Sequence, residues 1–329
     1  MVVAEGADDP KTPPQSAIQP LVSDLLNQLR TSCALVSERA RYVHVERDRI
    51  PGYMGRLPMD LPGDGPDPET HVTEGTREDL AAFWLTLDAI NFGSGWFPTL
   101  RKRPGRSGYY TIAGALRDRF DAHGPWLAAE LARIGPGEVA AALGQDPDHE
   151  LMALFANSLN DLGRHVAAFH AGQFAGVVDA AGSSAVALVD RLSGWQSFAD
   201  SSRYDDLAVP FLKRAQIVAA DLARAGVAAF RDIDQLTMFA DNLVPHVLRI
   251  DGLLTYDPAL LERIERGELI EHGSPEEIEL RACSVHAVSL LAAERPGALE
   301  AEIDYLLWHR GHEPRYKEHP RHRSRCTAY

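Results

Sequence analysis

The chain has 329 residues, 45% hydrophobic and 24% charged, enough to enclose one large core or two closely packed ones. Its formal net charge of −14 gives it no long-range attraction for nucleic acid, itself a polyanion, so a small molecule is a better candidate partner than an extended duplex. Cys33, Cys283 and Cys326 are too few and too scattered for a disulfide framework and suit a reducing, cytoplasmic compartment, and no stretch nears the ~18 continuous apolar residues of a membrane span.

MVVAEGADDPKTPPQS opens on acids and prolines where a signal peptide needs a basic start and an apolar run, so residues 1–16 are expected to be a disordered leader. Residues 17–329 read as a single compact helical unit, any division into two packed subdomains falling near 195–210. Leu21, Leu25, Leu26 and Leu29 recur at helical spacing, and YVHVERDRI then alternates as an extended segment does. Residues 51–75, rich in Pro, Gly, Asp and Glu, read as a surface loop. A helix through DLAAFWLTLDAINF stops at Gly93-Ser94-Gly95. The basic loop RKRPGRSGYY follows, with Arg101, Lys102, Arg103 and Arg106 and no acid. Helical ALRDRFDAHGPWLAAELARI comes next, and alanine-rich helices run on to about Ser193.

In VPFLKRAQIVAADLARAG, Pro210 stands near a helix start and Gly226 just past its end, with Phe211, Ala215, Val218 and Leu222 as the apolar stripe. DIDQLTMFADNLVPHVL offers Asp234 as N-cap of a helix with Leu236, Phe239, Ala240, Leu243 and Val247 on one side, kinked or ended by Pro245. SPEEIELRACSVHAVSLLAAE carries Ser274 as N-cap, Pro275 as first helical residue and Glu277 as reciprocal acceptor of a capping box. A last helix, from about Ala298 to Arg310, buries Leu299, Ile303, Leu306 and Leu307. The expected class is all-α, with at most minor β elements.

Asp304 borders the apolar face of that last helix, four residues before Trp308. It reads either as a carboxylate capping a neighbour or as a desolvated acid against an aromatic wall. Asp241, beside Phe239 and Ala240, poses the same choice, and Lys213 is either a solvated helix lysine or a pocket cation. Arg101 to Arg106 and the tail group Arg315, Lys317, Arg321, Arg323 and Arg325 are solvated faces or phosphate donors. His309 with His312, and His319 with His322, have ligand-like spacing, but no acid or cysteine pair completes a metal signature and no metal is expected. There is no G-x-S-x-G elbow, Walker loop or G-x-G-x-x-G fingerprint.

DAINFGSGWFP (88–98), PFLKRAQI (210–217), MFADNLVPHVL (238–248), EIELRACSVHAVSLL (277–291), EIDYLLWHRG (302–311) and the terminal HRSRCTAY (322–329) follow the order of landmarks in the queuosine salvage protein family. From roughly residue 20 to the end the chain resembles that family. The resemblance implies an all-helical fold distantly like helix-hairpin-helix DNA glycosylases. It also implies cofactor-free hydrolysis of the N-glycosidic bond of queuosine 5'-phosphate, releasing queuine and ribose 5-phosphate. It marks Asp241 and Asp304 as acidic pocket positions, Phe239 as an aromatic stacking on the deazaguanine, Lys213 as a basic position and His44 as an N-terminal pocket histidine. Asn242 and Leu243 stand where members often have Tyr-Arg, His246 where others have Gln, and His309 where some have an acid.

On both grounds Asp304 is expected at the reacting sugar, with Tyr305 and Trp308 as a dry wall that also contacts the base, and Asp241 at the base. Lys213, Arg323, Arg325 and His309 are expected at the phosphate or ribose, with the 101–106 loop as a further candidate. Two other readings stand beside the hydrolase: a queuine- or nucleotide-binding module without turnover, and a DNA glycosylase. Net charge argues against the second, since extruding a base from a duplex needs backbone contacts.

Overall fold

The computed structural model describes residues 24–59 and 66–329. The expected leader, Leu21 and part of the 51–75 segment lie outside the described residues. Helices dominate the first part: α1 (Asp24–Arg39), α2 (Ile50–Met54), α3 (Arg77–Ala89), α4 (Gly108–His123), α5 (Ala128–Leu131), α6 (Pro136–Leu143), α7 (Glu150–Phe169), α8 (Phe174–Asp179) and α9 (Ala185–Ser193). They continue as α10 (Lys213–Arg224), α11 (Val244–Ile250), α12 (Pro258–Glu265), α13 (Pro275–Ala293), α14 (Glu300–Arg310) and α15 (Pro314–Lys317). Among the described residues, strands are confined to β1 (Val43–Val45), β2 (Ser201–Tyr204), β3 (Leu207–Pro210) and β4 (Leu254–Tyr256). β2 and β3 form a hairpin, and β1 pairs antiparallel with β4, Val43 opposite Tyr256. A mostly helical fold with minor β elements is what the sequence led one to expect.

Helix α13 runs through the middle of the molecule and is buried nearly all round, so its polar residues must find partners inside the fold. Glu279 accepts the backbone N–H groups of Arg41, Tyr42 and Val43 and the hydroxyl of Tyr204, which fixes β1 and β2 against the helix. Arg281 is fully buried; it donates to Asp200 at 2.7 Å and to the carbonyl of Ala240 at 3.0 Å, and lies 3.9 Å over the Phe211 ring. Ser274 caps the helix by accepting from the Glu277 N–H, as expected. The capping box stays half made, because the Glu277 carboxylate accepts from the Gly273 N–H and lies 3.7 Å from Arg281. A buried guanidinium draws the acid inward.

The helix expected from Asp234 does not form as one piece. A 3-10 turn spans Ile233–Gln235, residues 236–241 run without helix, and α11 begins only at Val244. Side chains from elsewhere occupy the backbone of this stretch. Gln216 accepts the Thr237 N–H at 2.9 Å and donates to its hydroxyl at 3.0 Å, while Asp304 accepts the Phe239 N–H at 3.2 Å. Pro245 then sits in the first turn of α11, where its missing N–H loses nothing, so it starts this helix and does not end one. Pro210 likewise closes β3, and α10 begins three residues later. One continuous hydrophobic core reaches from Leu26 in α1 to Tyr316 in α15.

Candidate active site

A cavity of about 340 Å³ opens between α3, α4, α10, α14, the 239–243 segment and the C-terminal tail. Its lysine is set by a strained start to α10. Leu212 adopts φ 54° and ψ 32°, a left-handed conformation that costs a leucine about 1–2 kcal/mol. Asp200 holds that turn, its carbonyl accepting the Leu212 N–H at 3.1 Å and its carboxylate the Lys213 N–H at 3.0 Å. Lys213 is thereby buried, with Nζ donating to the Asn91 carbonyl at 2.9 Å and to Asn91 Oδ1 at 3.3 Å. Burial pulls its pKa down to about 8 against the opposing pull of Asp241.

The two aspartates differ in surroundings. Asp304 stands on the inner face of α14, almost wholly buried, with one oxygen on the Phe239 N–H. Burial first, and then the negative charge of Asp241, raises its pKa well above the carboxylate range. Asp241 is half-buried and accepts the N–H groups of Leu243 at 2.8 Å and Val244 at 3.2 Å, at the start of α11. The Arg281 bond to the Ala240 carbonyl steadies this segment from beneath.

Aromatic groups make the remaining wall. Trp308 meets Tyr109 edge-on at 5.7 Å between ring centres and Tyr110 at 5.8 Å, and the Arg224 guanidinium lies 4.3 Å over the Tyr305 ring. His309 and His312 each direct Nδ1 to a carbonyl one turn back, of Tyr305 at 2.8 Å and of Trp308 at 2.9 Å, and burial lowers both pKa values. Each ring is then neutral at pH 7 with Nε2 as an acceptor. The tail closes the cavity. Gly93 donates to the Tyr329 carbonyl at 3.0 Å, and Asn242 Nδ2 to the His322 carbonyl at 2.9 Å. Gly95 permits the approach, since a Cβ there would lie 2.5 Å from the Ser324 carbonyl oxygen.

Phe239, Asp241, Asp304, Tyr305, Trp308, His309 and Lys213 all line this one cavity. Three expected residues do not. His44 is exposed on β1, opposite Thr255. Arg323 donates to the Gly267 carbonyl at 2.8 Å and is paired through its backbone with Leu269. Arg325 is exposed, 3.5 Å from Glu150 and above Trp96. The tail arginine that reaches the cavity is Arg321. In the 101–106 loop, Arg101 pairs with Asp146, Arg103 with Asp118 and Arg106 with Glu69, all partly exposed ion pairs of small energetic weight. Sequence reasoning also passed over Trp84, Asp88 and Asp221. The i, i+4 spacing of Trp84 and Asp88 on α3 is a signal that could have found two of them.

The family profile described as "Queuosine salvage protein" matches residues 70–329. A Sphaerobacter thermophilus protein named queuosine 5'-phosphate N-glycosylase/hydrolase is 38% identical over 274 residues, 79% of this chain and 84% of its own length. Proteins of the same name from Dictyostelium discoideum and Bos taurus are 35% and 31% identical, over 78% and 68% of this chain and 80% and 72% of their own lengths.

Proposed function

We propose, from the premise that the chain belongs to the queuosine salvage protein family, that it hydrolyses the N-glycosidic bond of queuosine 5'-phosphate to queuine and ribose 5-phosphate. The observation that carries this reading is the pairing of two unlike carboxyl groups in one aromatic-walled cavity. Burial first, and then the charge of Asp241, raise the Asp304 pKa and so favour its protonated form. A buried carboxyl whose protonated form is favoured, beside a second, half-buried carboxyl group, is suited to acid and base work on one substrate.

The deeper burial of Asp304 supports roles opposite to those expected from sequence. Cleavage sends the electron pair of the C1'–N9 bond into the departing base and leaves cationic character at C1'. A charged carboxylate stabilises that cation, and Asp241 suits the task. The base must gain a proton as it leaves. In a 7-deazapurine, position 7 is carbon, so the usual purine protonation site is missing and the acid must act on another edge, such as N3. Asp304 carries a proton for this purpose. Water adds to C1', its proton passes to Asp241, and exchange with solvent returns both acids to their starting states.

Phe239 stacks on the base. The acceptor nitrogen of His309 suits a ribose hydroxyl, and Arg321 a phosphate oxygen. Lys213 donates toward the sugar or the phosphate. Incubating the purified protein with queuosine 5'-phosphate and following queuine and ribose 5-phosphate by mass spectrometry tests the reading. Both products should appear in equal amounts. Intact substrate bound at saturation would mark a binding module instead.

A further inference from the structure

One wall of the cavity holds acid that the hydrolysis does not use. Helices α3 and α10 bring Asp88 and Asp221 together, Asp221 lining the cavity and Asp88 buried behind it. Asn91 Nδ2 reaches Asp88 Oδ1 only at 3.5 Å, and Asp88 Oδ2 has no hydrogen-bond partner among the described residues. One turn earlier on α3, Trp84 also lines the cavity. It is 2% exposed, and its Nε1–H too is unpaired among the described residues.

The cations near this wall are shared with other partners. The Lys213 ammonium is turned to the carbonyl and side-chain oxygens of Asn91, and the Arg214 guanidinium to the Ala89 carbonyl at 2.6 Å. Arg224 pairs with Asp221 at 3.4 Å but also covers Tyr305. Burial raises the pKa of both acids, and for Asp88 the charge of Asp221 adds to it. Two acids thus share one direct ion pair, Arg224 with Asp221, while the Trp84 N–H and Asp88 Oδ2 have no hydrogen-bond partner among the described residues. Buried groups left unpaired in this way destabilise a fold, and binding a ligand that pairs them removes the penalty.

We infer that Asp221 and Trp84, backed by Asp88, form a subsite for an alkylammonium arm that also carries hydroxyl groups. The inference rests on the substrate proposed above, because queuine bears such an arm at position 7: a secondary amine followed by a cyclopentene diol. The ammonium would meet Asp221, and a hydroxyl would accept the Trp84 N–H. Stacking on Phe239 recognises any purine-like ring, whereas this wall would select the modified one.

Two measurements test the subsite. Calorimetry on the wild-type protein compares queuine with 7-deazaguanine, the same ring without the arm. Queuine should bind about 10- to 100-fold more tightly, the range for a charged hydrogen bond. Kinetics then compares kcat/KM for queuosine 5'-phosphate and 7-deazaguanosine 5'-phosphate in the wild type, Asp221→Asn and Asp88→Asn. The ratio of the two should fall about tenfold or more in Asp221→Asn, and less in Asp88→Asn. Equal affinity for both bases in the wild type overturns the subsite, even if neither variant folds. So does an equal loss on both substrates in Asp221→Asn, which would mark a structural or catalytic role. Arm-dependent binding of queuine without turnover of either nucleotide upholds the subsite and rejects the hydrolase.

Discussion

Replacing Asp241 by Asn isolates the charge from the shape. The amide oxygen can still accept the Leu243 and Val244 N–H groups, so the start of α11 and the melting temperature should change little. What disappears is the negative charge that the proposed mechanism sets against C1'. At about 4 Å and an effective dielectric near 20, that charge is worth roughly 4 kcal/mol against a full positive charge, or about 10³-fold in kcat. A second effect is built in. Asp241 is one of the two groups of influences that hold the Asp304 pKa high, so its neutralisation lets that pKa fall. Because the proposed mechanism uses Asp304 in its protonated form, activity in the variant should be lost at lower pH than in the wild type. Single-turnover cleavage of queuosine 5'-phosphate followed across pH 5–9 reads both effects. A variant with wild-type kcat and an unmoved alkaline limb would refute the assignment of the charge to Asp241.

Arg321→Met should lower kcat/KM on the 5'-phosphate about 10- to 100-fold relative to the unphosphorylated nucleoside, while Arg323→Met and Arg325→Met leave that ratio near the wild-type value; steady-state kinetics on both substrates checks this. Gly95→Ala would drive a methyl group into the Ser324 backbone, so the tail should be displaced, with a fall in both Tm and turnover, and a thermal melt beside an activity assay would show an unaltered protein if the approach were loose. His246 and His322 are buried with pKa values lowered to about 4 and about 3. The unfolded chain therefore binds more protons than the native one below about pH 6.5, and stability should fall as pH drops from there toward 4, by up to about 3 kcal/mol for each ring. Urea unfolding at pH 7 and pH 4.5 measures it, and equal stabilities would contradict the neutral burial of these rings.

Where local chemistry decides the outcome, the sequence was readable. Ser274-Pro275 opens α13 as its residue types require, and the stripe of Phe211, Ala215, Val218 and Leu222 is fully buried. Reading failed where a distant side chain outbid a local preference. Nothing near Asp234 says that Gln216 and Asp304 will claim the N–H groups of Thr237 and Phe239, so a helical pattern became an extended strip that presents Phe239 and Asp241 to the cavity. The tail failed for a similar reason. Five basic residues of like composition divide by which neighbour their backbone meets, and pairing of Arg323 with Leu269 turns that residue away while Arg321 stays at the cavity. Asp88 and Asp221 look like ordinary helix-boundary acids until α3 and α10 pack. The ordered motifs identified the pocket aspartates that spacing alone left undecided.

The hydrogen bond from Gly93 to Tyr329 ties the turn after α3 to the tail across the cavity. A proteolytic cut between α15 and the tail would therefore leave both aspartates in place while opening the cavity on one side.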